Sequence, residues 1–247
     1  MQNVYLCVYY PILCAVWFFL TFIVTYIISV CRQDVIAVFP YISDTGTWSP
    51  ESCIFGLMLN IGAIIQGLIV YIRYRQLSHL LGKDTFYPET VQKNNRTSLI
   101  LGITAAFGVC IVANFQETNA FEVHVFGAIL AFGLGSVYQC MQTHISFKVY
   151  PNLGNKTINI IRVIFSIVSC VTFLVTFLFA GLSLLQFKGD DPTKWSKDDG
   201  GYVDHFISAI AEWIMAVTTI LFLAFYTSEF KKISFTEPPL IETTQQA

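Results

Sequence analysis

Glu212 is the residue whose type and place most demand a chemical account. It stands in Ser208-Ala-Ile-Ala-Glu-Trp213, inside an apolar stretch that runs on to about residue 226. A carboxylate in hydrocarbon is costly to ionise, so it is protonated, paired or functional. A helix starting near Tyr202 puts Glu212 about ten residues in, or about 15 Å deep, close to the middle of a bilayer. Two roles follow. It locks helices together, with Asn60, Gln66 or His124 as partner, or it serves a proton- or lipid-coupled step; one carboxylate alone makes no relay.

The remaining polar residues of the apolar runs are amides and a histidine. Asn60 and Gln66 interrupt one run, and their expected role is hydrogen bonding between helices. Asn114 and Gln116, in Ile111-Val-Ala-Asn-Phe-Gln116, sit at a run's end, where they cap it or face a polar cavity. His124 and Glu122 mark the start of another run, Gln139, Gln142 and His144 its far side. Before the second run, residues 39–52 are dense in turn formers and in hydroxyl or carboxylate side chains, Asp44 among them. There Ser49-Pro50-Glu51-Ser52 reads as a helix start, with the Glu51 carboxylate facing the helix dipole. A ligand-binding lip is the other reading of that loop. No Ser-His-Asp order, HExxH, P-loop or strand-borne GxGxxG occurs, so neither an enzyme nor a cofactor is expected. The seven cysteines are spread singly, without metal-ligand spacing. Only Cys31 and Cys53 flank one loop and admit a disulfide. The acidic stretch 189–201 lacks the spacing of a calcium loop and reads as solvated.

Six elements must carry these residues. Hydrophobic residues make up 55% of the 247, charged residues only 12%, and mean hydropathy is +0.61, against roughly 25% charged residues in a soluble domain. Apolar runs near 5–30, 54–72, 98–115, 123–147, 158–185 and 203–226 each approach the length that crosses about 30 Å of hydrocarbon. They are continuous rather than alternating, which excludes a barrel. The first lacks a basic flank and a cleavage site and is expected to stay as an anchor. The sequence therefore predicts an all-α, polytopic bundle of six transmembrane helices over residues 1–230, with a short tail, 231–247. On the fourth run Gly127, Ala131 and Gly135 recur at four-residue spacing, a smooth strip that predicts close helix packing.

Basic residues set the orientation. With the N-terminus in the cytosol, the cytosolic segments hold Arg73, Arg75, Lys83, Lys93, Arg96, Lys148, Lys156, Arg162, Lys231 and Lys232. That leaves four of the fourteen Lys and Arg residues for the other side, so both termini are expected in the cytosol. Two sequons, at Asn95 and Asn155, fall on the side so assigned and argue the other way. The basic segment after the second helix is expected to touch anionic lipid, each charge contributing about 1 kcal/mol. A formal charge of −2 gives no basic face for nucleic acid.

Several blocks together resemble one family. Pro40-Tyr-Ile-Ser-Asp-Thr-Gly46, then Pro50-Glu-Ser-Cys-Ile-Phe-Gly56, Asn60 and Tyr71-Ile-Arg-Tyr74, are similar to signatures of the damage-regulated autophagy modulator (DRAM) family. Ile111-Val-Ala-Asn-Phe-Gln116, His124 with Gly127, Gly201-Tyr-Val203 with His205, and Ala211-Glu-Trp213 follow in the same order. The stretch Thr47-Trp-Ser49 departs from the proline-rich segment many members have. The resemblance implies a six-helix protein of lysosomal and related endomembranes, or of the plasma membrane, that promotes autophagy and is linked to stress-induced cell death. It implies no catalytic residues, and partners that are membrane or cytosolic proteins. Broader relatives imply a scaffold that organises lipid or recruits a phosphoinositide kinase, and Glu212, Asn60 and Gln66 keep a small-solute or proton-coupled transporter open. In the tail, Glu237-Pro-Pro-Leu240-Ile241 approaches an acidic dileucine sorting signal.

Overall fold

In the computed structural model, which describes residues 6–83 and 87–233, all regular structure among the described residues is helical. Six helices are long and apolar enough to cross a membrane. They are α1 (Tyr10–Cys31), α2 (Glu51–Lys83), α3 (Glu89–Asn114), α4 (Phe121–Val149), α5 (Lys156–Gln186) and α6 (Tyr202–Ala224), the last continued by a helical turn, α7 (Thr227–Phe230). The tail beyond residue 233, with Leu240 and Ile241, lies outside the described residues.

Local chemistry sets the ends. Pro11 occupies the first turn of α1, where no amide partner is lost. Pro88 precedes α3 and Glu89 opens it, placing a carboxylate on the positive end of the dipole. Asn155 caps α5 by accepting from the Thr157 amide at 2.8 Å. The helices reach beyond the expected apolar runs: α2 has 33 residues, about 50 Å, against about 30 Å of hydrocarbon. The segment read from sequence as a basic loop between 73 and 97 is thus mostly helix. Arg73 and Asn95 lie within α2 and α3 because Asn95 donates to the Tyr74 carbonyl and to Ser78 Oγ, both at 3.1 Å, and ties the two helices together there.

Each helix packs against its neighbours in sequence, and α6 returns to α1, closing a ring; the α5–α6 interface is the most extensive. Large apolar side chains point outward, such as Ile164, Leu174 and Leu178 on α5, while Ser166, Ser169, Thr172 and Thr176 of the same helix face inward. This inversion suits lipid: outside, apolar surface costs nothing, and inside, short hydroxyls hydrogen-bond without bulk. α6 is the most buried of the spans.

The fourth helix carries the closest approach. A Cβ at Gly108 of α3 would meet the Ala131 amide nitrogen and, at 2.7 Å, the Gly127 carbonyl; one at Gly127 would meet the Ile111 side chain at 2.6 Å. Gly135 is looser, its nearest neighbour being Ala105 Cβ at 3.9 Å. At this contact α4 widens into a π turn, Ile129–Leu134, the kind of register slip that redirects a helix. Below it, Gly135–Val149 packs on both α3 and α5; above it, Phe121–Ala128 packs on α3 and parts from α5.

Six crossings bring the two ends of the described residues together, Cys7 Sγ lying 3.5 Å from the Ile233 carbonyl, at one end of the bundle, here the terminal end. The loops 32–50, 115–120 and 187–201 gather at the other, the loop end.

Candidate functional site

At the loop end the first loop folds inward over α6. Trp213 Nε1 donates to the Pro40 carbonyl at 2.9 Å, and Glu212 Oε2 accepts from the Ile42 amide at 2.8 Å. Within the loop, Asp44 Oδ2 accepts from the Tyr41 amide at 3.0 Å, the local backbone bond that suits a short acidic side chain to a turn. Thr45 Oγ1 meets Thr25 Oγ1 of α1 at 3.0 Å, and Ser43 Oγ donates to Glu117 Oε2 at 2.7 Å. Tyr41 is bonded through its hydroxyl to Ser208.

The fifth loop lies beside it. Asp191 accepts from the amide and hydroxyl of Thr193, at 3.0 and 2.7 Å, and the same hydroxyl oxygen accepts from Trp48 Nε1 and lies beside the Asp34 carbonyl, both at 3.2 Å. Trp195 stacks on His205 with ring centroids 4.4 Å apart. The chain then turns into α6 through Gly200 and Gly201, at φ +78° and +64°; a Cβ at Gly200 would strike the Gln186 carbonyl oxygen, so only glycine passes there.

Beneath these loops lies a cavity of about 240 Å³, between the first turns of α4 and the last turns of α5. Asp44, Glu117 and Glu212 line it, with Ser43, His124, Tyr41 and Trp195; no lysine or arginine does. Deeper in the bundle a smaller, apolar cavity of about 70 Å³, walled by phenylalanines of three helices, shares Ser43 and Glu212 with it. Glu212 is therefore the partition between a polar vestibule and an apolar chamber. Burial, and then the nearby carboxylates of Glu117 and Glu212, push the Asp44 carboxyl well above the usual aspartate range.

The terminal end holds the opposite charge. Arg73 and Arg162 are both 0% exposed, and Glu229 is 1% exposed between them. Arg162 grips Glu229 with two parallel bonds of 2.6 and 3.0 Å, and Arg73 Nη1 stands 3.3 Å from Glu229 Oε2. Arg73 also donates to Gln142, Gln76 and Ser146, at 3.2, 3.0 and 3.3 Å. Both guanidiniums sit on the Tyr226 ring, 5.0 and 4.8 Å from its centroid, a favourable seat for a cation.

Six of the candidate residues read from sequence, Asp44, Glu51, Asn114, Gln116, His124 and Glu212, gather at the loop end. Asp44, His124 and Glu212 line the cavity, and Glu51, wholly buried, opens α2 with Arg32 Nε at 3.7 Å. His124 Nδ1 is 2.7 Å from the Phe115 carbonyl, which pins the turn between α3 and α4. Gln116 supplies that turn with its own carbonyl, bonded to the amides of Asn119 and Ala120. Asn60 and Asn114 form a reciprocal pair across α2 and α3, with bonds of 3.2 and 3.0 Å. Glu212 therefore bonds the Ile42 amide rather than Asn60, Gln66 or His124; Gln66 lines the apolar chamber and His124 the vestibule. Arg73 is interior, not a lipid contact. Cys31 and Cys53 are both free. Sequence reasoning passed over Glu117 and Glu229. The only available signal for Glu229 was its depth, which matches that of Arg73 and Arg162 in an even-numbered bundle.

Residues 6–233 match the family model described as the Frag1/DRAM/Sfk1/Cwh43P N-terminal domain. The chain is similar to DNA damage-regulated autophagy modulator protein 2 of Bos taurus, 37% identical over 233 residues, and of Homo sapiens, 38% identical; each alignment covers 91% of this chain and 84% of the relative. It is 36% identical to DNA damage-regulated autophagy modulator protein 1 of Homo sapiens, with 91% of both chains covered. No solved structure matches it.

Two measurements check the electrostatics. Glu229→Ala leaves two buried guanidiniums without a counter-charge and is expected to cost about 3–5 kcal/mol, read as a large drop in melting temperature of the purified chain in detergent; a drop no larger than that of an exposed-site control such as Glu89→Ala would refute it. For Asp44 the folded carboxyl holds its proton more tightly than the unfolded one. Its stabilisation is complete below the unfolded value of about 4 and is lost as pH rises through the raised folded value. Asp44→Asn cannot ionise, so it is expected to melt higher than the native chain at neutral pH, and by a smaller margin as pH falls. An unchanged pH dependence would count against the assignment.

Proposed function

Because the chain belongs to the Frag1/DRAM/Sfk1/Cwh43P family, we propose that it is a multi-pass membrane regulator that promotes autophagy, acting through contacts with lipid and protein partners and not by catalysis. The observation that carries this is the likeness, at 36–38% identity over nine-tenths of the chain, to relatives named as autophagy modulators. The lysosomal membrane is its proposed site, with both termini in the cytosol. The lysine and arginine bias supports that orientation. So does the seat of Asn95, whose amide is buried between α2 and α3 and 1% exposed, which removes one of the two sequons that argued the other way. Asn155 spends its carbonyl oxygen on capping α5.

Partners belong to the cytosolic face. Arg73 and Arg162 are withdrawn into the bundle, so among the described side chains the charges left for anionic lipid at that face are Arg75, Lys93, Arg96, Lys148, Lys156, Lys231 and Lys232, each contributing about 1 kcal/mol next to such a surface. Recruitment of a phosphoinositide kinase draws on the same face. A transport reading draws instead on the vestibule at Glu212, and flux into proteoliposomes that vanishes in Glu212→Gln would favour it.

Cells lacking the protein are expected to show reduced autophagic flux under DNA damage, measured as autophagosome turnover with and without an inhibitor of lysosomal acidification, and re-expression is expected to restore it. Unchanged flux would sink the proposal. For topology, treatment with an N-glycosidase is expected to leave the native chain's mobility unchanged, whereas a sequon built into the 187–201 loop is expected to acquire a glycan; the reverse pattern would invert the orientation.

A further inference from the structure

Two cysteines that the sequence keeps apart meet on the outer surface of the bundle. Cys140 of α4 and Cys170 of α5, 30 residues apart in the chain, bring their sulfurs to 3.6 Å, and both thiols are free. The register that joins them is set from inside. Ser136 Oγ meets Ser169 Oγ at 2.7 Å, and Thr143 Oγ1 meets Ser166 Oγ at 2.9 Å, short hydroxyl bonds of the kind that lock helices in lipid. Cys140 stands between Ser136 and Thr143 on α4, and Cys170 follows Ser169 on α5. Two rungs on the inner side of the seam therefore hold the sulfurs opposite one another on its outer side.

That outer side faces lipid. Cys140 is exposed and Cys170 half-buried, and the exposed residues close to them in sequence are apolar: Val137 on α4, and Ile167, Val171 and Leu174 on α5. Cys170 stands near the middle of α5, Lys156–Gln186, at the depth of the hydrocarbon core. The setting decides the chemistry. Thiol–disulfide exchange and attack on a peroxide both need the thiolate, and an anion in hydrocarbon is costly. Donating a hydrogen atom creates no charge, so that route is open to a neutral thiol among acyl chains. The oxidants that arrive through those chains and take a hydrogen atom are lipid peroxyl radicals, formed on polyunsaturated tails in oxygen.

We propose that Cys140 and Cys170 form a radical-quenching thiol pair at the lipid-facing seam of α4 and α5, with lipid peroxyl radicals as the oxidant and a disulfide between the two helices as the product. Each S–H bond breaks homolytically, and its hydrogen atom forms the O–H bond of a lipid hydroperoxide. Two peroxyl radicals are thereby reduced by one electron each. The two sulfur radicals, left in contact, pair their odd electrons in one S–S bond, so two thiols and two peroxyl radicals become one disulfide and two hydroperoxides. A single cysteine cannot complete this sequence, because its sulfur radical has no partner within reach. The pair does not depend on the autophagy reading, and its test uses no cellular readout.

The full chain, purified in reductant and placed in nanodiscs of polyunsaturated phosphatidylcholine, is exposed in air to a lipid-soluble azo initiator. Free thiols are then alkylated, and disulfide-linked peptides are mapped by mass spectrometry. A link between Cys140 and Cys170 within one chain is expected to accumulate, and to be lost when α-tocopherol, a lipid-soluble hydrogen donor, is included. Hydrogen peroxide in the aqueous phase, which oxidises through the thiolate, is expected to leave both thiols reduced. Cys140→Ser and Cys170→Ser each remove one sulfur with little change of volume, and each is expected to abolish the link; the native chain carries the test where a variant fails to fold. Failure of the link to form in the native chain, its formation undiminished by α-tocopherol, or an equal yield from hydrogen peroxide would each overturn the proposal. So would a link from Cys140 to Cys110, a free thiol on α3, in the same yield, since that would mark chance encounter and not a built pair.

Discussion

Two guanidiniums share one carboxylate inside a bundle that lipid surrounds, and the rest of the architecture answers to that arrangement. Arg73 comes from α2, Arg162 from α5 and Glu229 from α7, so three segments distant in sequence must meet at one depth. Removing ions from water costs several kcal/mol each, and the attraction repays it only when the geometry is good and every remaining donor is met. Here α4 contributes Gln142 and Ser146, α2 adds Gln76, and the Tyr226 ring lies against both cations, so that most donors are met, although Arg162 Nε is buried without a hydrogen-bond partner. One positive charge is left over, spread across amide and hydroxyl oxygens and an aromatic face. Such a cluster is poor as a source of raw stability but specific in what it permits: a slide of α5 by one turn would bring an uncharged residue to Glu229.

That register has consequences at the other end. With α6 fixed below by Glu229, Glu212 and Trp213 reach the first loop and fold it inward through two backbone bonds. The negative charge of the bundle collects there, under a cover of two loops joined at Thr193. Between the ends lies an apolar middle, with the small cavity that Glu212 closes from above. The bundle is thus polarised along its axis, basic within at the terminal end and acidic within at the loop end. This arrangement explains why an acidic vestibule survives in a membrane protein: it sits where loops supply backbone donors, not at the midplane.

The π turn of α4 connects the two regions. Gly127 and Gly108 let α3 and α4 touch at backbone distance, which holds the top of α4 on α3 and away from α5. The opening so formed is the lateral wall of the vestibule. Packing by small residues, ordinarily a device for closing gaps in membranes, here closes one gap and opens another.

Much of this was legible in residue order alone. Six apolar runs and the lysine and arginine asymmetry are one-dimensional quantities, because lipid imposes a length and a polarity on each segment independently of its neighbours. The motif blocks around Asp44, Glu51, Asn60, His124 and Glu212 were equally plain, since each is contiguous. Partner choice was not. Glu212 is bonded to the backbone amide of Ile42, and a backbone amide carries no signature in side-chain chemistry. Arg73 and Arg162 counted in the sequence as surface charges, because nothing in their own segments shows that Glu229 waits at the same depth. Helices α2 and α3 outrun their apolar cores for the same reason: Asn95 of one finds a carbonyl of the other. The sequence by itself determined how many times the chain crosses and which segments do so; only the tertiary structure decided which charges meet, because pairing across about 70 to 150 residues depends on rotation and register that no single segment contains.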